Sequence, residues 1–543
     1  MTQNNKSTKT INRKDLKRNK KKNYTREDIE KETLKSERND VSWYASSDQL
    51  LNDSCSLSFN NPLGTALHLE DYVRPGQRSD QTNFKPDCGL TLTSLAIPGV
   101  CCLEYVPVLG YSTDNLSPVN IAATNTYSFT VHANSRNYKY SRGHQMMYLV
   151  SMDSVYTFFA WMSRVYGIVR SYDQKNFYLP QGLMKSMNVN FDDIVKNLAN
   201  LRTYINSFVL RASKYAVPAN MSLYLRHMWM VSGIWKDSPS SKSQIYLFNP
   251  RGLYYYNATY SSSTSALQLK ELGNQSNLLT YDEITAYGDV LLNALDEQED
   301  IGIMSGDILK AYGSDGIFKI NMIPEDFTVT PMYSAEVLSQ IQNATMVGSI
   351  EPTNFDGLII TEDNTESGLG AVIQTPEFKG SISDPKASAM CPLIINSYSE
   401  SPTPSEIMVA TRLKCSGNTI VNVEGSSPTY STIIDTCGTE IITTANIYVY
   451  KESSGFILTC QCTTATTAAT MLASCYYLSM FDCHPGFLLC NGSGTTESPF
   501  TFEYFIMDFD NYTLLDFRTL KKMHLTALLS EFAVPNIALG YKG

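Results

Sequence analysis

Charged residues and tryptophan are scarce in this chain. Of its 543 residues only 18% are Asp, Glu, Lys or Arg, and there are four Trp and six His, whereas 43% are apolar. A chain with so few charges can bury a large core beneath a polar surface of low charge density. Since a single core stops growing at about 250–300 residues, the length predicts two folded domains and a tail.

The usual motifs of enzymes and cofactor sites are also missing. No two His stand four residues apart, and neither a P-loop nor a Gly-x-Ser-x-Gly elbow occurs. Asp192 and Asp193 are consecutive, so on a helix they would not face one site, and they fit better as partners of the helix dipole. The sequence therefore predicts no enzyme activity, no catalytic residue, no cofactor and no small-molecule substrate.

A metal site finds little support, because no pair of Cys has the CxxC spacing that is common in zinc sites. The nearest candidate is a group of five Cys and one His: Cys460, Cys462, Cys475, Cys483, His484 and Cys490. Cys460 and Cys462 alternate in a Thr-rich strand pattern and so share one face of it. We expect free thiols that pack as small hydrophobic residues, and no metal.

Neither a secretory signal nor a clear membrane span is present. Residues 1–26 have no apolar stretch after their charged start. Residues 453–481 carry no charge, but their six Thr and four Ser argue against a membrane helix, and the run at 145–163 is typical of a buried helix. We therefore expect a cytosolic setting in which most of the twelve Cys are reduced.

The N-terminus has the one sequence feature with a clear physical role. Residues 1–26 hold seven Lys and three Arg against one acid, which gives this segment a charge of +9. Because the net charge of the whole chain is −10, the remaining residues carry −19. Lys and Arg side chains neutralise phosphates whatever the base sequence. The predicted RNA-binding residues are Lys6, Lys9, Arg13, Lys14, Lys17, Arg18, Lys20, Lys21, Lys22 and Arg26. From charge alone, a solubilising tail or a nuclear import signal stays possible.

Composition divides this N-terminal arm in two. Residues 1–24 have almost nothing apolar and are predicted to be disordered. Residues 25–38 are mildly acidic, and Thr25 with Asp28 resembles a capping box, which predicts a short helix. We expect this second piece to dock on the folded body and the first to meet RNA.

The body has an α+β pattern. Residues 41–140 predict extended arms and loops with a few short helices, and apolar residues at helical spacing predict longer helices at 144–170, 190–213, 221–235, 281–296, 304–312 and 514–531. Residues 348–500 are rich in Thr, Ser and Gly with alternating strands. The predicted plan is an arm (1–38), a helical domain (39–325), an inserted β-rich domain (326–505) and a C-terminal helical segment that rejoins the helical domain (506–543).

Several strings along the body resemble picobirnavirus capsid proteins. They cover 39–320 and return from Phe517 to Val534, whereas 330–500 gives no clear match. The strings are NDVSWY (39–44), FNNPLG (59–64), PGVCCLEYVP (98–107), SPVNIAA (117–123), MDSVY (152–156), YLPQGL (178–183), FDD (191–193) and RHMWM (226–230). None of them is a catalytic motif, and the likeness rests on their number and order.

The resemblance implies a capsid protein of a small double-stranded RNA virus. In that family the shell domain is mainly helical and a second domain protrudes. Dimers with intertwined N-terminal segments build a small icosahedral shell, and the basic arm lies inside against RNA. The expected place is the virion, after assembly in the host cytoplasm. Some members cut their own arm, but nothing in this sequence marks a cleavage site.

Two other functions stay open. A cytosolic RNA-binding protein without shell assembly predicts a basic patch on the folded body, which the −19 of residues 27–543 disfavours. A hydrolase or self-cleaving protein predicts a pocket that joins a nucleophile to one of the six His.

Overall fold

The computed structural model describes most of the body of the chain. The described residues are 43–59, 66–68, 94–96, 99–110, 112–135, 140–171, 178–240, 243–257, 266–346, 358–365, 368–375, 379–382, 394–422, 429–451, 455–462, 468–491 and 501–532. The predicted arm, residues 1–38 with its disordered part and its helix, lies outside them. By their contacts the residues form two compact units, Met1–Asn61 and Pro62–Gly543.

The described part of the first unit contains one helix, α1 (Asp48–Cys55). The side chain of Ser47 caps it by accepting a hydrogen bond from the backbone N–H of Leu50. None of its residues is buried. The aromatic side chains of Trp43, Tyr44 and Phe59 on either side of it are also exposed.

Most helices of the second unit surround one long buried helix, α3. Its 29 residues are buried along almost their whole length, because large apolar side chains occur on every face of it. The helices of this unit are α2 (Pro118–Asn134), α3 (Arg142–Arg170), α4 (Tyr178–Ser186), α5 (Phe191–Lys196), α6 (Leu198–Ala212), α7 (Leu223–Ser232), α8 (Tyr281–Asp296), α9 (Glu299–Tyr312), α10 (Ala335–Asn343), α11 (Pro404–Ala410), α12 (Ala468–Leu478) and α13 (Phe517–Glu531). Helices α2, α6, α7 and α8 all pack against α3.

A six-stranded mixed sheet lies against these helices, in the order β17-β16-β3-β5-β4-β8. Its strands are β3 (Val100–Pro107), β4 (Trp235–Lys236), β5 (Ile245–Pro250), β8 (Met332–Tyr333), β16 (Glu440–Lys451) and β17 (Gly455–Cys462). Strand β3 runs parallel to β5 and antiparallel to β16. Every residue of β3 and β5 is buried, as expected for strands that are covered on both faces.

The remaining strands form one four-stranded antiparallel sheet, β11-β10-β7-β6, and several small sheets. Strands β12, β14 and β15 pair with one another, β13 pairs with β20, β9 and β19 flank β18, and β1 pairs with β2. Their bounds are β1 (Ala66–His68), β2 (Ser94–Ala96), β6 (Gly252–Asn257), β7 (Ala266–Glu271), β9 (Thr345–Met346), β10 (Ile359–Asp363), β11 (Ala371–Thr375), β12 (Lys379–Ile382), β13 (Ile394–Asn396), β14 (Ser416–Asn422), β15 (Thr429–Thr436), β18 (Gly486–Asn491), β19 (Thr501–Ile506) and β20 (Tyr512–Leu514).

The α+β class is confirmed, and strand pairing adds a connection that the sequence pattern does not show. Strand β16, from the predicted inserted region 326–505, pairs along its length with β3. Strand β10, from the same region, pairs with β7. These strands of the predicted insert are therefore built into the sheets of the helical part, while the insert itself stays a prediction.

Two local predictions differ from the structure. Within 41–140 the structure has a 17-residue helix, α2, and the buried strand β3, where loops and short helices are expected. The single helix predicted over 190–213 is two helices, α5 and α6, that meet at Asn197. Asn197 has a non-helical φ/ψ of −106° and 15°, and its side chain donates back to the Asp193 carbonyl, which ends α5.

The other long helices agree with the periodicity. Helix α3 (142–170) coincides with the prediction for 144–170, and α8 coincides with 281–296. Helix α9 starts at Glu299, before the predicted 304, and ends at Gly313, whose φ of 72° suits a glycine cap. The uncharged stretch 453–481 contains β17 and α12. In the described part of the chain, no helix is long and apolar enough to cross a membrane.

Candidate functional site

The basic arm cannot be compared with the structure. Its ten predicted RNA-binding residues, from Lys6 to Arg26, lie outside the described residues. Their role stays a prediction. Among the described residues, the charged and titratable side chains that come together lie inside the body.

Six charged side chains meet in the interior of the second unit. They are Asp153, Arg226, His227, Arg412, Glu440 and Glu531, which we call the ionic cluster. They come from α3, α7, β16, α13 and the segment that follows α11. With His227 protonated, three positive charges balance three negative ones. Such balance is what permits charges to be buried together.

Glu440 is the centre of the ionic cluster, and its side chain is fully buried. Arg226 donates from Nε to its Oε1 at 2.8 Å and from Nη2 to its Oε2 at 3.4 Å, so that the guanidinium grips both oxygens. The His227 Nε2 atom lies 3.5 Å from the same Oε1. Burial alone would raise the pKa of Glu440, but Arg226 and His227 outweigh it and lower this pKa to about 2.

His227 connects the cluster to helix α3. Its Nδ1 lies 2.5 Å from Oδ2 of Asp153 in a buried ion pair. Burial alone would lower the pKa of His227, but the carboxylates of Asp153 and Glu440 outweigh it and raise this pKa to about 9. His227 is therefore a cation at neutral pH, which completes the charge balance.

Glu531 connects the cluster to the C-terminal helix α13. Its Oε1 accepts from Arg412 Nη2 at 2.9 Å, and its Oε2 accepts from the Thr439 hydroxyl at 3.1 Å. On the other side, Arg226 donates from Nη1 to Gln340 of α10 at 2.9 Å. The cluster thus joins segments from positions 153 to 531 of the chain, and its geometry is that of an internal cross-link.

Among the described residues, the histidine rings do not assemble a nucleophilic site. In the five histidines whose side chains are described, the ring hydrogen bonds go to Asp153, Asp508 or Tyr256, or to the carbonyls of Ser128, Pro485 and Lys414. None of these bonds joins a histidine ring to the side chain of a Ser, Thr or Cys. The arrangement therefore gives no support to the self-cleaving or hydrolase alternative.

The cysteine group is partly as expected. Cys460 and Cys462 lie on β17 with their sulfurs 3.6 Å apart, which confirms that they share a face. Cys475 and Cys483 are partly buried. Within the described ranges, no three His, Cys, Asp or Glu residues are grouped so that they could hold a metal ion.

Comparison with known proteins identifies the family. The model of the picobirnavirus capsid protein family matches residues 43–479. This chain belongs to the picobirnavirus capsid protein family. A curated relative, the capsid protein precursor of human picobirnavirus (strain Human/Thailand/Hy005102/-), is 32% identical over 391 residues, which cover 70% of this chain and 69% of the relative.

A solved structure extends the likeness to the fold. The X-ray crystallographic structure of the picobirnavirus capsid matches with a TM-score of 0.72 over 93% of this chain and 100% of that one. At 22% identity this likeness speaks for the fold alone. Together with the family, it makes the chain a picobirnavirus capsid protein, a component of the virion of a double-stranded RNA virus with a structural role.

Sequence reasoning missed the ionic cluster in this capsid protein, although each member leaves a local signal. Asp153 interrupts an apolar helix, Arg226 and His227 stand within YLRHMWMV, and Glu440 precedes the uncharged run IITTANIYVY. A lone charge in an apolar run predicts a buried charge that needs a partner. The sequence does not say which charges are partners, because Arg226 and Glu440 are 214 residues apart.

Proposed function

We propose that copies of this capsid protein assemble as dimers into a small icosahedral shell that encloses double-stranded RNA. The basic arm, residues 1–26, would lie inside and bind packaged RNA without sequence preference. The proposal rests on family membership together with the charge of +9 on residues 1–26 and of −19 on residues 27–543. An acidic body repels RNA, so that the arm becomes its main contact.

Assembly with copies of itself is supported by membership of a capsid protein family. Large apolar side chains are exposed at many described positions, among them Leu116, Leu210, Leu225 and Leu514. Single exposed apolar residues are common on protein surfaces, so the proposal rests on the family and not on these positions.

The domain plan is part of the same proposal. The helical part would form the shell, 326–505 would supply the outer, protruding domain, and α13 would return the chain to the shell. In support, β12, β14 and β15 pair only with one another among the described strands. Helix α13 packs against α2, which belongs to the helical part.

Expression of the full chain in the cytosol of a host cell, followed by electron microscopy of the purified protein, tests whether it assembles into a shell. Uniform closed particles are expected, with dimers as the smallest species after mild dissociation. Soluble monomers at every salt concentration would favour a cytosolic RNA-binding protein without a shell. Maturation of the purified chain into one shortened species would favour the self-cleaving alternative.

Charge variants of the arm test the RNA contact. Replacing the ten Lys and Arg of residues 1–26 by Gln should leave particles intact but reduce their RNA content several-fold, as measured by extraction. The matched control scrambles the order of residues 1–26 and keeps the charge of +9. It should package RNA normally, because counterion release depends on charge and not on order. Equal RNA content in all three proteins would refute the proposed role of the arm.

A further inference from the structure

An open cavity of about 150 Å³ lies between α10, α11 and the β13–β20 pair. Its walls include Ile395, Tyr398, Glu400, Glu406, Asn511 and Tyr512. A volume of about 150 Å³ is large enough for a six-membered ring. No residue of the ionic cluster lines this cavity.

Hydrogen bonds tie together the elements that frame the cavity. Asn343 of α10 donates from its side chain to the carbonyl of Asn396 at 2.9 Å, and the N–H of Asn396 donates back to it at 2.8 Å. Strand β13 is further held by pairing with β20, where Asn396 lies opposite Tyr512. A ligand that enters this cavity would not have to order its walls first.

Two tyrosines stand at the cavity with their rings open to solvent. Tyr398 is 52% exposed and Tyr512 is 56% exposed, which is unusual for large aromatic side chains. The Tyr398 hydroxyl donates to Oε1 of Glu406 at 3.2 Å. Exposed aromatic rings can stack on an apolar face of a ligand.

Hydrogen-bond acceptors lie beside these rings. Asn511 donates from Nδ2 to the carbonyls of Ser397 and Ser399, so that its Oδ1 is the group left to accept. The backbone N–H of Thr403 donates to Glu406 at 2.6 Å and lowers the pKa of this carboxyl, which is therefore ionised at neutral pH. Acceptors beside aromatic rings match a ligand that has hydroxyl groups around an apolar ring.

We propose that the cavity between α11 and the β13–β20 pair binds one neutral sugar ring. Tyr398 and Tyr512 would contact the C–H face of the ring, while Asn511 and Glu406 would accept its hydroxyls. The carboxylates of Glu400 and Glu406 disfavour acidic sugars. The same carboxylates would attract a lysine side chain, so a lysine analogue is the comparison that tests the choice of a neutral sugar.

Such a site would give the capsid a means of attachment to carbohydrate. This use rests on the proposal that 326–505, which supplies most of the cavity walls, faces outward in the shell. Sugar binding by the cavity itself does not depend on assembly, and the two can therefore be tested separately.

Saturation-transfer NMR on the full chain, unassembled and assembled, tests the site. The probes are the methyl glycosides of glucose, galactose, N-acetylglucosamine and fucose, with N-acetylneuraminic acid and N-acetyl-lysine amide as charged comparisons. At least one neutral glycoside should receive saturation in both forms, and the charged probes should not. Saturation of a charged probe alone, or of none, would overturn the proposal.

Variants of the two tyrosines test whether the glycoside binds in this cavity. Tyr398→Ala and Tyr512→Ala should each weaken binding roughly threefold to tenfold, the value of one aromatic contact. Tyr398→Phe keeps the ring and should bind almost normally, which separates ring contact from a folding defect. The matched control is Tyr44→Ala, a tyrosine that is 76% exposed and distant in sequence from the cavity. Binding that survives in the Tyr398→Ala, Tyr512→Ala double variant would place the sugar elsewhere and overturn the proposal.

Assembly distinguishes attachment from subunit contact. If unassembled chain binds the glycoside and particles do not, the cavity is covered by a neighbouring subunit, and its proposed use in attachment is wrong while the capsid function stands. If the chain fails to form particles yet binds the sugar, the shell proposal fails and the cavity proposal stands.

Discussion

Arg164 and Arg226 are both buried in the same unit, but their surroundings differ. Arg164 on α3 is fully buried, and its Nη1 donates to the carbonyls of Phe248 and Gly233 at 2.9 and 3.4 Å. Within the part of the chain that the structure describes, its Nε and Nη2 have no hydrogen-bond partner. Among the described residues it forms no ion pair. Burial lowers the pKa of Arg164 to about 10, so that it keeps its charge at neutral pH.

Arg226 on α7 is surrounded by charge. It grips Glu440 with two nitrogens and reaches Gln340 with the third. Burial alone would lower the pKa of Arg226, but Glu440 outweighs it and raises this pKa. The comparison shows two ways to bury a guanidinium. A lone cation is held by carbonyl dipoles, whereas a paired one depends on its neighbours and they on it.

The largest effect should follow from neutralising the centre of the ionic cluster. Glu440→Gln leaves Arg226 and protonated His227 buried without their shared anion. Removing one partner of a buried ion pair costs about 3–5 kcal/mol. We expect the free energy of unfolding to fall by about this amount, as measured by urea denaturation of the purified chain at pH 7.

The matched control for this variant is Glu299→Gln, which neutralises an exposed carboxylate on α9. Its free energy of unfolding should change by less than about 0.5 kcal/mol. Equal losses for the two variants would mean that pairing within the cluster contributes nothing specific.

Alkaline pH should loosen the cluster and leave the surroundings of Arg164 unchanged. The folded pKa of His227 is about 9, above the usual 6.5, so its contribution is complete below pH 6.5 and is lost as pH rises through 9. A shift of this size corresponds to roughly 3 kcal/mol. The contribution of Glu440, whose pKa is lowered to about 2, is complete above pH 4.5 and is lost as pH falls through 2.

His227→Gln should therefore remove most of the fall in stability between pH 6.5 and 9, because the titrating group is gone. Urea denaturation at half-unit pH steps measures the slope. The exposed histidine variant His132→Gln should keep the full slope of the unchanged protein. A slope that persists in His227→Gln would assign the alkaline loss to other groups.

Local sequence pattern could predict helices α3 and α8 but not α2. The apolar residues of the first two recur at helical spacing, whereas the buried residues of α2 include Asn120, Thr126 and Asn134. These side chains bond to carbonyls, as Asn120 does to Val372 and Asn134 to Asp307. Polar residues whose hydrogen bonds are made inside the protein can form a buried helix face. The sequence of such a helix resembles that of a loop, because hydrophobic periodicity counts only apolar residues.

For the buried charges, too, the local sequence predicts one property and the tertiary fold decides another. An isolated Asp153 or Arg164 in an apolar helix already predicts a buried charge. Which of the two receives a partner is decided by helix α7, whose His227 reaches Asp153 from a distant part of the sequence. Pairing of this kind is a property of the tertiary fold and leaves no mark in the spacing of the residues.

Replacing each arginine by an apolar side chain of similar length should sharpen the contrast. Arg164→Met loses hydrogen bonds to two carbonyls but also removes a buried charge, so we expect a loss of about 1–3 kcal/mol in the free energy of unfolding. Arg226→Met leaves Glu440 without its main partner and should cost more, about 3–5 kcal/mol. Urea denaturation of both variants at pH 7 gives the comparison, and a larger loss for Arg164→Met would reverse it.

The smallest effect should come from the edge of the same cluster. Burial raises the pKa of Glu531, and its ion pair with Arg412 does not compensate for that burial. The charge of Glu531 is therefore poorly stabilised. The amide oxygen of a glutamine can still accept from Arg412 in the place of Oε1. Its NH2 group, in the place of Oε2, can donate to the Thr439 hydroxyl, which has Glu440 as its other acceptor at 3.0 Å. Glu531→Gln should lower the free energy of unfolding by about 1 kcal/mol or less, against the much larger loss for Glu440→Gln. Unequal losses would show that the cluster has a tightly paired centre at Glu440 and a weaker attachment to the C-terminal helix α13. Similar losses for both variants would contradict this and show that the cluster stabilises the fold as one unit.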